Sequence, residues 1–224
     1  MKIRGVELEY LGHSGFLIVA QDGKRIAIDP YNVSDNIEKV DMILVSHSHY
    51  DHCSIKDIQK LMKEEGTEIV IPVDCQSKVN RIEGLKINIT TVGIKIKVLG
   101  VDIYPFFAYN IDKPNHPKAE DWMGYILKLG DVMIYHAGDT DKIPEMSGLE
   151  FIAQEGEDVV ALLPVSGGSV MNSEEAAEAA AIIKPGIAIP MHYGSDVIGE
   201  ISDAEKFVEL CKEKGIKAEI LEKI

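Results

Sequence analysis

Several features that mark other protein classes are missing from this 224-residue sequence. No apolar run reaches the roughly 18 residues that a membrane-spanning helix needs, and the first residues contain no apolar stretch typical of a signal peptide. The cysteines are odd in number, far apart and without C-x-x-C spacing, at Cys53, Cys75 and Cys211. This spacing argues against a disulfide framework and favours a reducing compartment. We therefore expect a cytoplasmic protein with no membrane partner.

The sequence also lacks an excess of positive charge. It has 37 Asp and Glu against 23 Lys and Arg, which gives a formal net charge of −14. A field of this sign repels polyanions and offers no basic stripe for counterion release, so nucleic acid is a disfavoured partner. A positively charged local site could still invert that preference. On a solvated surface, excess acid also aids solubility.

No linker and no common nucleophile motif is found. The chain has no low-complexity segment, no Pro/Gly-rich hinge and no repeat of solenoid length. Its length suffices to bury a core within one domain, which we expect to span residues 1–224. Neither a G-x-S-x-G nucleophile elbow nor a P-loop appears. An enzyme with this sequence would need another source of nucleophile.

The hydrophobic pattern predicts many short strands, with helices spaced between the later ones. Helices are expected at residues 53–64, 173–183 and about 202–214, and Asn172 and Glu175 have the spacing of a capping box. Strands are expected at residues 3–10, 15–20, 24–28, 42–45, 68–72, 85–91, 94–98, 101–107, 122–129, 132–136, 159–163, 187–191 and 217–221. Two sheets with helices on their outer faces would satisfy this order in one domain.

The densest chemical signal is the sequence H-S-H-Y-D-H at positions 47–52, directly after a predicted buried strand. Alternate residues of an extended segment point the same way, so His47 and His49 can bind one metal ion together. If the chain then turns into a helix, Asp51 and His52 project to a neighbouring position, where they could hold a second ion. The alternative is a hydrogen-bonded polar loop, but three of seven histidines within six residues favour a metal site.

Two residues at later strand ends would complete such a site. Asp139 follows the strand predicted at 132–136; its carboxylate would either bridge two cations or cap a turn. His192 follows the strand predicted at 187–191 and would be either a ligand or a hydrogen-bonded core histidine. Because strand ends converge in α/β folds, both residues fall where a site built on positions 47–52 would be completed.

Taken together, these motifs resemble the metallo-β-lactamase superfamily, in particular its small single-domain hydrolases of the L-ascorbate phosphate lactonase group. The resemblance rests on the histidine motif at 47–52, a later Gly-Asp at 138–139 and the strand-end His-Tyr-Gly at 192–194, and it extends to positions 10–15 and 28–30. It implies an α+β fold, a four-layer αββα sandwich of two mixed sheets, with metal ions at one edge of the sheets.

The same resemblance implies a role for each ligand. His47 and His49 would bind a first ion, and Asp139 would bridge to a second one. The second ion would be bound by three residues, Asp51, His52 and His192. Histidine-rich ligation favours two Zn²⁺ ions, with Mn²⁺ or Fe²⁺ as alternatives.

One departure from the family pattern concerns the first ion. The strand predicted at 101–107 is followed by Asn110, where the family usually carries a third histidine. A neutral amide oxygen suits hard cations better than zinc. We therefore expect His116, six residues later, to reach back to the site. Alternatives are completion by water or a single-metal enzyme.

Other residues would surround the metals. We expect His13 to contact a ligand or the substrate rather than a metal, His136 to be structural and Cys53 to be a core residue. The segment 109–122 is basic for this chain and would form a lid that binds an anionic substrate, or else a plain surface loop. Its candidate substrate contacts are Tyr109, Asn110 and Lys118. The loop 166–169 would be an anion site or a flexible connection.

The function that this pattern predicts is metal-dependent hydrolysis. Two cations about 3.5–4 Å apart make a shared water ionise near neutral pH, and the resulting hydroxide is the nucleophile. Asp51 or Asp139 would orient it and pass a proton to the leaving group. We expect a small anionic ester, lactone or phosphoester as substrate. A nuclease on the same platform and a metal-binding sensor without turnover are the alternatives, and an oligomer is compatible with the sequence.

Overall fold

The computed structural model of the chain describes residues 1–151, 158–194 and 197–224, and the strands in this part form two mixed sheets. In spatial order, the first sheet contains β1 (Lys2–Ile3), β2 (Val6–Gly12), β3 (Gly15–Val19), β4 (Arg25–Ile28), β5 (Met42–Leu44), β6 (Thr67–Ile71) and β7 (Leu85–Ile89). Its first four strands are antiparallel neighbours, whereas β4 to β7 run parallel.

The second sheet has the spatial order β13, β12, β11, β10, β9, β8. Its strands are β8 (Ile96–Val98), β9 (Val101–Phe107), β10 (Met123–Leu129), β11 (Val132–His136), β12 (Asp158–Pro164) and β13 (Ile187–Met191). Strands β8 to β11 pair antiparallel, and β11 to β13 pair parallel. The hairpin expected around residues 130–131 is the β10–β11 pair.

Helices lie outside the sheets. The α-helices are α1 (Ile55–Leu61), α2 (Gln76–Val79), α3 (Ser173–Ile183) and α4 (Ile201–Glu213). The described residues also form three 3₁₀ segments, at Val73–Cys75, Lys118–Glu120 and Pro144–Phe151. Within the same residues, no helix combines the length and the apolar character needed to cross a bilayer.

The layering follows from strands that are buried on both faces. In β3, Leu17 packs into the cluster beneath α1, while its neighbours Phe16 and Ile18 face the second sheet. In β5, Ile43 likewise faces α1, and the residues on either side of it face inward. Successive side chains of a strand alternate between its faces, so a sheet buried on both sides has apolar residues at every position. The first sheet is therefore the second of four layers.

On the other side, α3 and α4 cover the second sheet. Ala176 and Ala180 of α3 and Phe207 of α4 join the large cluster between and around the sheets, and the two helices contact β12 and β13. The order of layers is thus α, β, β, α, and the predicted four-layer sandwich of two mixed sheets is confirmed.

Most predicted elements form close to their expected bounds, and α3 has the predicted bounds. Its capping box is present: the Asn172 side chain accepts from the Glu175 amide, and the Glu175 side chain accepts from the Asn172 amide. The strand predicted at 217–221 was wrong. That segment makes one isolated bridge, between Ala218 and Ala188 at the outer side of β13, so its alternating apolar residues pack without extending the sheet.

A close backbone approach at β10 shapes the turn that leads to Asp139. A side chain on Gly124 would collide with the carbonyl oxygen of His136 and lie 2.6 Å from that of Ala137. Real Cβ contacts are longer than this, so only glycine lets the chain after β11 cross so near β10.

This close approach predicts that Gly124→Ala destabilises the protein. The added methyl group forces the backbone after β11 outward, and overpacking of this kind costs about 1–3 kcal/mol in the free energy of unfolding. Urea denaturation followed by circular dichroism measures the loss. Gly148→Ala is the matched control, because a Cβ at Gly148 meets nothing within 4 Å. Equal stabilities for the two variants would contradict the prediction.

Candidate metal centre

The carboxyl ends of strands from both sheets meet at one edge of the sandwich. Positions 47–52 follow β5, Asp139 follows β11 and His192 follows β13. Parallel strands that end at the same edge bring their following residues together. As a result, seven histidine and aspartate side chains predicted from the sequence, and His13 from the β2–β3 turn, gather there in two clusters.

The first ligand group consists of His47, His49, His116 and Asp139, whose candidate ligand atoms all lie within 4.8 Å of one another. His47 Nε2 is 3.0 Å from His49 Nδ1. On its other side, the Nδ1 of His47 lies 2.9 Å from the hydroxyl oxygen of Ser46, whose proton goes to Asp29. His47 therefore donates from Nδ1 and presents the lone pair of Nε2 to the cluster.

His116 is brought to this group by the turn after β9. The Asn110 side-chain oxygen accepts from the His116 amide at 2.9 Å, and the Asn110 side-chain nitrogen donates to the Ser169 carbonyl. His116 Nδ1 faces two carbonyl oxygens, those of Asn110 at 3.1 Å and Ser169 at 2.9 Å, so it carries the proton. Its Nε2 then points a lone pair at Asp139, 3.1 Å away.

The second ligand group consists of His13, Asp51, His52 and His192, again with candidate ligand atoms within 4.8 Å of one another. His13 Nε2 lies 3.1 Å from Asp51 Oδ2. His192 Nδ1 lies 2.8 Å from the Ser166 hydroxyl, which fixes the orientation of the ring. The structure thus places His13 beside the candidate ligands, in a position from which it could bind a metal itself.

Asp139 contacts both groups. Its Oδ2 is 3.1 Å from His192 Nε2 and 3.1 Å from His116 Nε2, and its Oδ1 is 3.3 Å from His52 Nε2. The turn before it is held by His136, which donates from Nε2 to the Ser14 carbonyl and accepts from the Gly138 amide at Nδ1. This hydrogen bonding gives His136 the structural place that was predicted for it.

Sequence reasoning missed Asp29 and Ser46, which orient the rings of His52 and His47 from behind. Asp29, fully buried after β4, accepts from the Ser46 amide at 2.7 Å, from the Ser46 hydroxyl and from His52 Nδ1 at 2.8 Å. His52 therefore directs its Nε2 into the site. The available signal was an aspartate at the end of a buried strand, the same signal that identified Asp139.

Comparison with known proteins agrees with this geometry. A family model described as the beta-lactamase superfamily domain matches residues 7–192. The chain belongs to this superfamily. A protein named metal-dependent hydrolase from Pyrococcus furiosus is 34% identical over 222 residues, which is 93% of this chain and 93% of that one.

Solved structures share the fold of this chain. A protein described as a metal-dependent hydrolase from Parabacteroides distasonis superposes with a TM-score of 0.81 at 28% identity, covering 97% of this chain and 94% of that chain. A metallo hydrolase from Ignicoccus hospitalis superposes with a TM-score of 0.76, covering 97% and 95% of the two chains. At 24% identity, the second match shows the fold alone.

The donor atoms of this superfamily member fit divalent cations. In the described part of the chain, no hydrogen bond reaches His52 Nε2, His116 Nε2 or Asp139 Oδ1, although all three atoms are buried. An unsatisfied buried polar atom costs about 1–3 kcal/mol. Imidazole nitrogens and carboxylate oxygens that converge in this way are the donor set that Zn²⁺ and similar ions take.

Protonation states at the same place depend on Asp29 and Asp139. Burial opposes the charged form of His52, but these two carboxylates raise its pKa well above its usual value, so a metal ion bound at its Nε2 would replace a proton. Burial, together with nearby His52, holds the pKa of His47 well below its usual value, and burial lowers that of His13 to about 4, so both rings are neutral. Burial opposes ionisation of Asp51, but the hydrogen bond from His13 and the charge of His52 lower its pKa to about 2. Burial likewise opposes ionisation of Asp139, but His192 and His52 hold its pKa well below the usual range.

Strained backbone marks three residues of this edge. His13, Asp29 and His192 have φ values of 53°, 43° and 62°, in the left-handed region that favours glycine. The strain is held by hydrogen bonds: the His192 amide donates to the His13 carbonyl at 2.7 Å, and the Tyr10 hydroxyl donates to the same carbonyl at 2.9 Å. Such strain, about 1–3 kcal/mol per residue, persists where surrounding contacts fix the conformation.

An open cleft of about 230 Å³ leads to the site. Its lining residues are His49, Tyr50, Asp51, Asn115, His116, Asp139, Ser169, His192, Val197 and Ile198. Beside it, the Trp122 ring packs on His47 and His49, with centroids 4.9 and 4.8 Å apart, and its Nε1 donates to Asp74. Trp122 thus gives the first ligand group an apolar wall.

The predicted substrate contacts lie elsewhere. Neither Tyr109 nor Lys118 lines the cleft: the Tyr109 hydroxyl donates to Glu145 at 2.9 Å, and the Lys118 ammonium donates to Glu145 at 2.7 Å. The polar side-chain atoms of Asn110 are hydrogen-bonded to His116 and Ser169. Substrate contact by these three residues stays a prediction, and their hydrogen bonds give them positions behind the site rather than in its opening.

The loop at 166–169 and the start of helix α3 have few free amides with which to bind an anion. The capping box occupies the Glu175 amide, and the Gly167 amide donates to the Met171 carbonyl. What the loop contributes to the site is the Ser169 carbonyl and the Ser166 hydroxyl, which hold His116 and His192.

The hydrogen bonds of Asn110 predict a loss of metal affinity in Asn110→Ala. Removing the side chain frees the His116 ring to rotate, and losing such a supporting contact typically costs about 10–100-fold in metal affinity. Equilibrium dialysis against Zn²⁺, with metal analysis of the protein, measures the change, and His116→Ala is the reference for loss of the ligand itself.

Asn88→Ala is the matched control, since Asn88 donates to Glu68 and the Ile69 carbonyl in the first sheet. If Asn110 serves the substrate alone, Asn110→Ala binds Zn²⁺ as tightly as Asn88→Ala does, and the positioning role is wrong.

Proposed function

We propose that this chain is a metal-dependent hydrolase that uses two divalent cations to cleave a small ester, lactone or phosphoester with water. The observation that carries the proposal is the position of Asp139, within 3.3 Å of histidine nitrogens from both ligand groups. A carboxylate between two clusters of ligands can share its two oxygens between two cations. The names of the relatives, metal-dependent hydrolases, support the same activity.

Zinc is the cation that we propose for both positions. Six of the eight candidate ligands are histidines, and the two carboxylates are Asp51 and Asp139. Imidazole suits Zn²⁺, while Mn²⁺ and Fe²⁺ are alternatives for the second ligand group, which has its own carboxylate. The cysteines are buried and free, which supports a cytoplasmic setting for this activity.

When bound by the two ligand groups, such cations would supply a water of lowered pKa and would polarise the scissile bond. The protein's own groups do the rest. Asp51 lies at the cleft, and despite its burial the hydrogen bond from His13 lowers its pKa to about 2, so its carboxylate is ionised near neutral pH. It would accept a hydrogen bond from the attacking water and relay the proton of that water to the leaving group. His13 holds that carboxylate in place through its hydrogen bond.

The chain also covers part of the ligand set and fixes its geometry. Trp122 covers His47 and His49 on one side, and the ring of His192 is held by Ser166. Four donor rings, those of His47, His52, His116 and His192, are hydrogen-bonded from behind. Little reorganisation of these rings is therefore needed when charge develops at the reacting atoms.

Hydrolysis is favoured over the other two functions by the cleft. Of the described residues that line it, none is Lys or Arg, and a nuclease needs such residues along a groove to hold phosphates. A metal sensor has no need of an open cleft in contact with its ligands, whereas a substrate does.

Metal removal tests this function. Chelation is expected to abolish hydrolysis of a panel of para-nitrophenyl esters, lactones and phosphodiesters, and added Zn²⁺ or Mn²⁺ to restore it. Metal analysis of the active protein should find two ions per chain. Asp139→Asn should lower kcat by about a hundredfold or more, since the substituted amide cannot balance two cations.

Asp131→Asn, at an exposed turn, is the control and should keep full activity. A metal-loaded protein that hydrolyses nothing on the panel, or activity that survives chelation, would refute the proposal.

A further inference from the structure

The charges around the cleft are unsuited to an anionic substrate. Among its described lining residues, the carboxylates are Asp51 and Asp139, both in the ligand groups, and none is Lys or Arg. The lysines of the neighbouring segment are already engaged: Lys118 with Glu145, and Lys113 with Asp141 and the Val170 carbonyl. An anionic group away from the metals would therefore find no cationic partner in the described residues of the cleft, and desolvating it there would cost free energy.

Apolar side chains instead form the mouth of the cleft. Tyr50 is 64% exposed and Ile198 is 41% exposed, and Val197 lies beside them. Large exposed apolar side chains that share one concave surface next to candidate metal ligands indicate a surface that a ligand covers. Each apolar group that the ligand buries there stabilises the complex, because apolar surface is removed from water.

Both side chains are held in position. The Tyr50 ring lies edge-on to Tyr31, with centroids 5.9 Å apart, and Tyr31 in turn lies edge-on to His13 at 5.9 Å. A row of rings therefore leads from the second ligand group to the mouth. Such a row offers a rigid apolar surface at little entropic cost.

Ile198 packs beside two glycines. A Cβ on Gly168 would lie 2.9 Å from Ile198 Cδ1, so the isoleucine rests directly on the glycine backbone. Gly199 packs as closely on Ser166 and the His192 carbonyl, and its own carbonyl accepts from the Gly194 amide at 2.9 Å. Ile198 is thereby attached to the end of β13 that carries His192.

From these observations, and resting on the hydrolase function proposed above, we infer that the substrate is an uncharged ester or lactone whose apolar acyl chain lies between Tyr50 and Ile198. This departs from the anionic substrate expected from the sequence. Water adds to the carbonyl carbon, and the bond from that carbon to the leaving oxygen breaks. The leaving oxygen takes one proton of the water through Asp51, giving an alcohol, and the acid formed ionises to a carboxylate.

A matched pair of esters tests the inference on the metal-loaded protein. Para-nitrophenyl pentanoate and mono-para-nitrophenyl glutarate have the same length and differ by a terminal methyl or carboxylate. The value of kcat/KM should be at least about tenfold higher for the pentanoate, as expected when a charged group replaces an apolar one in an apolar site. Equal or faster hydrolysis of the glutarate ester would overturn the inference.

Variants locate the effect. Ile198→Ser and Tyr50→Ser should each lower kcat/KM for the pentanoate about tenfold, while para-nitrophenyl acetate, which does not reach them, is little changed. Ile198→Lys should shift the preference towards the glutarate ester. Ile94→Ser, at an exposed isoleucine outside the cleft, is the control and should leave the ratio unchanged. Unchanged ratios in both cleft variants, with metal content intact, would refute the assignment of the mouth.

A binding measurement separates this inference from the hydrolase proposal. Hexanohydroxamic acid and its counterpart with a terminal carboxylate both have a metal-binding head, and the fluorescence of Trp122, the single tryptophan, reports their binding. The uncharged compound should bind at least about tenfold more tightly. If it does so while no ester is hydrolysed, the hydrolase function fails and the apolar mouth stands; equal affinities would overturn the inference about the mouth.

Discussion

The carboxylate of Asp139 is buried where the two sheets meet, 4% exposed, within 3.3 Å of three histidine nitrogens. An isolated buried carboxylate is very costly, because the charged form loses its hydration, so it persists only among groups that stabilise negative charge. Those groups come from both ligand clusters, and they reach Asp139 only if the two sheets pack in one relative position. Fold and candidate metal centre are therefore tied to the same electrostatic constraint.

Hydrogen bonds from behind the ligands fix the direction in which several histidines point. Asp29 orients His52, Asn110 orients His116 and Ser166 orients His192, each from the side away from Asp139. Every one of these partners lies just beyond the end of a strand, so a sheet rather than a flexible loop sets its position. Rigid support of this kind keeps donor atoms where a cation needs them. It also explains why the left-handed conformations of this edge are tolerated.

Membership of the β-lactamase superfamily accounts for the platform, whereas the cleft decides what can reach it. Lys113 and Lys118 of the segment at 109–122 form ion pairs with acidic residues. The apolar residues that line the opening are Tyr50, Val197 and Ile198. Charge for a reaction would then come from the bound cations, and binding energy from apolar contact. From this arrangement of side chains we infer an uncharged substrate.

The sequence by itself determined the sheet-and-helix pattern and the gathering of His47, His49, Asp51 and His52, because periodicity and short-range spacing are local properties. It also indicated Asp139 and His192, since strand ends converge. What only the tertiary structure decided were contacts between distant segments: the support of His116 by Asn110, the place of His13 beside Asp51, and the turn of Lys118 to Glu145. The direction in which a side chain points depends on neighbours far along the chain, and residue spacing does not identify those neighbours.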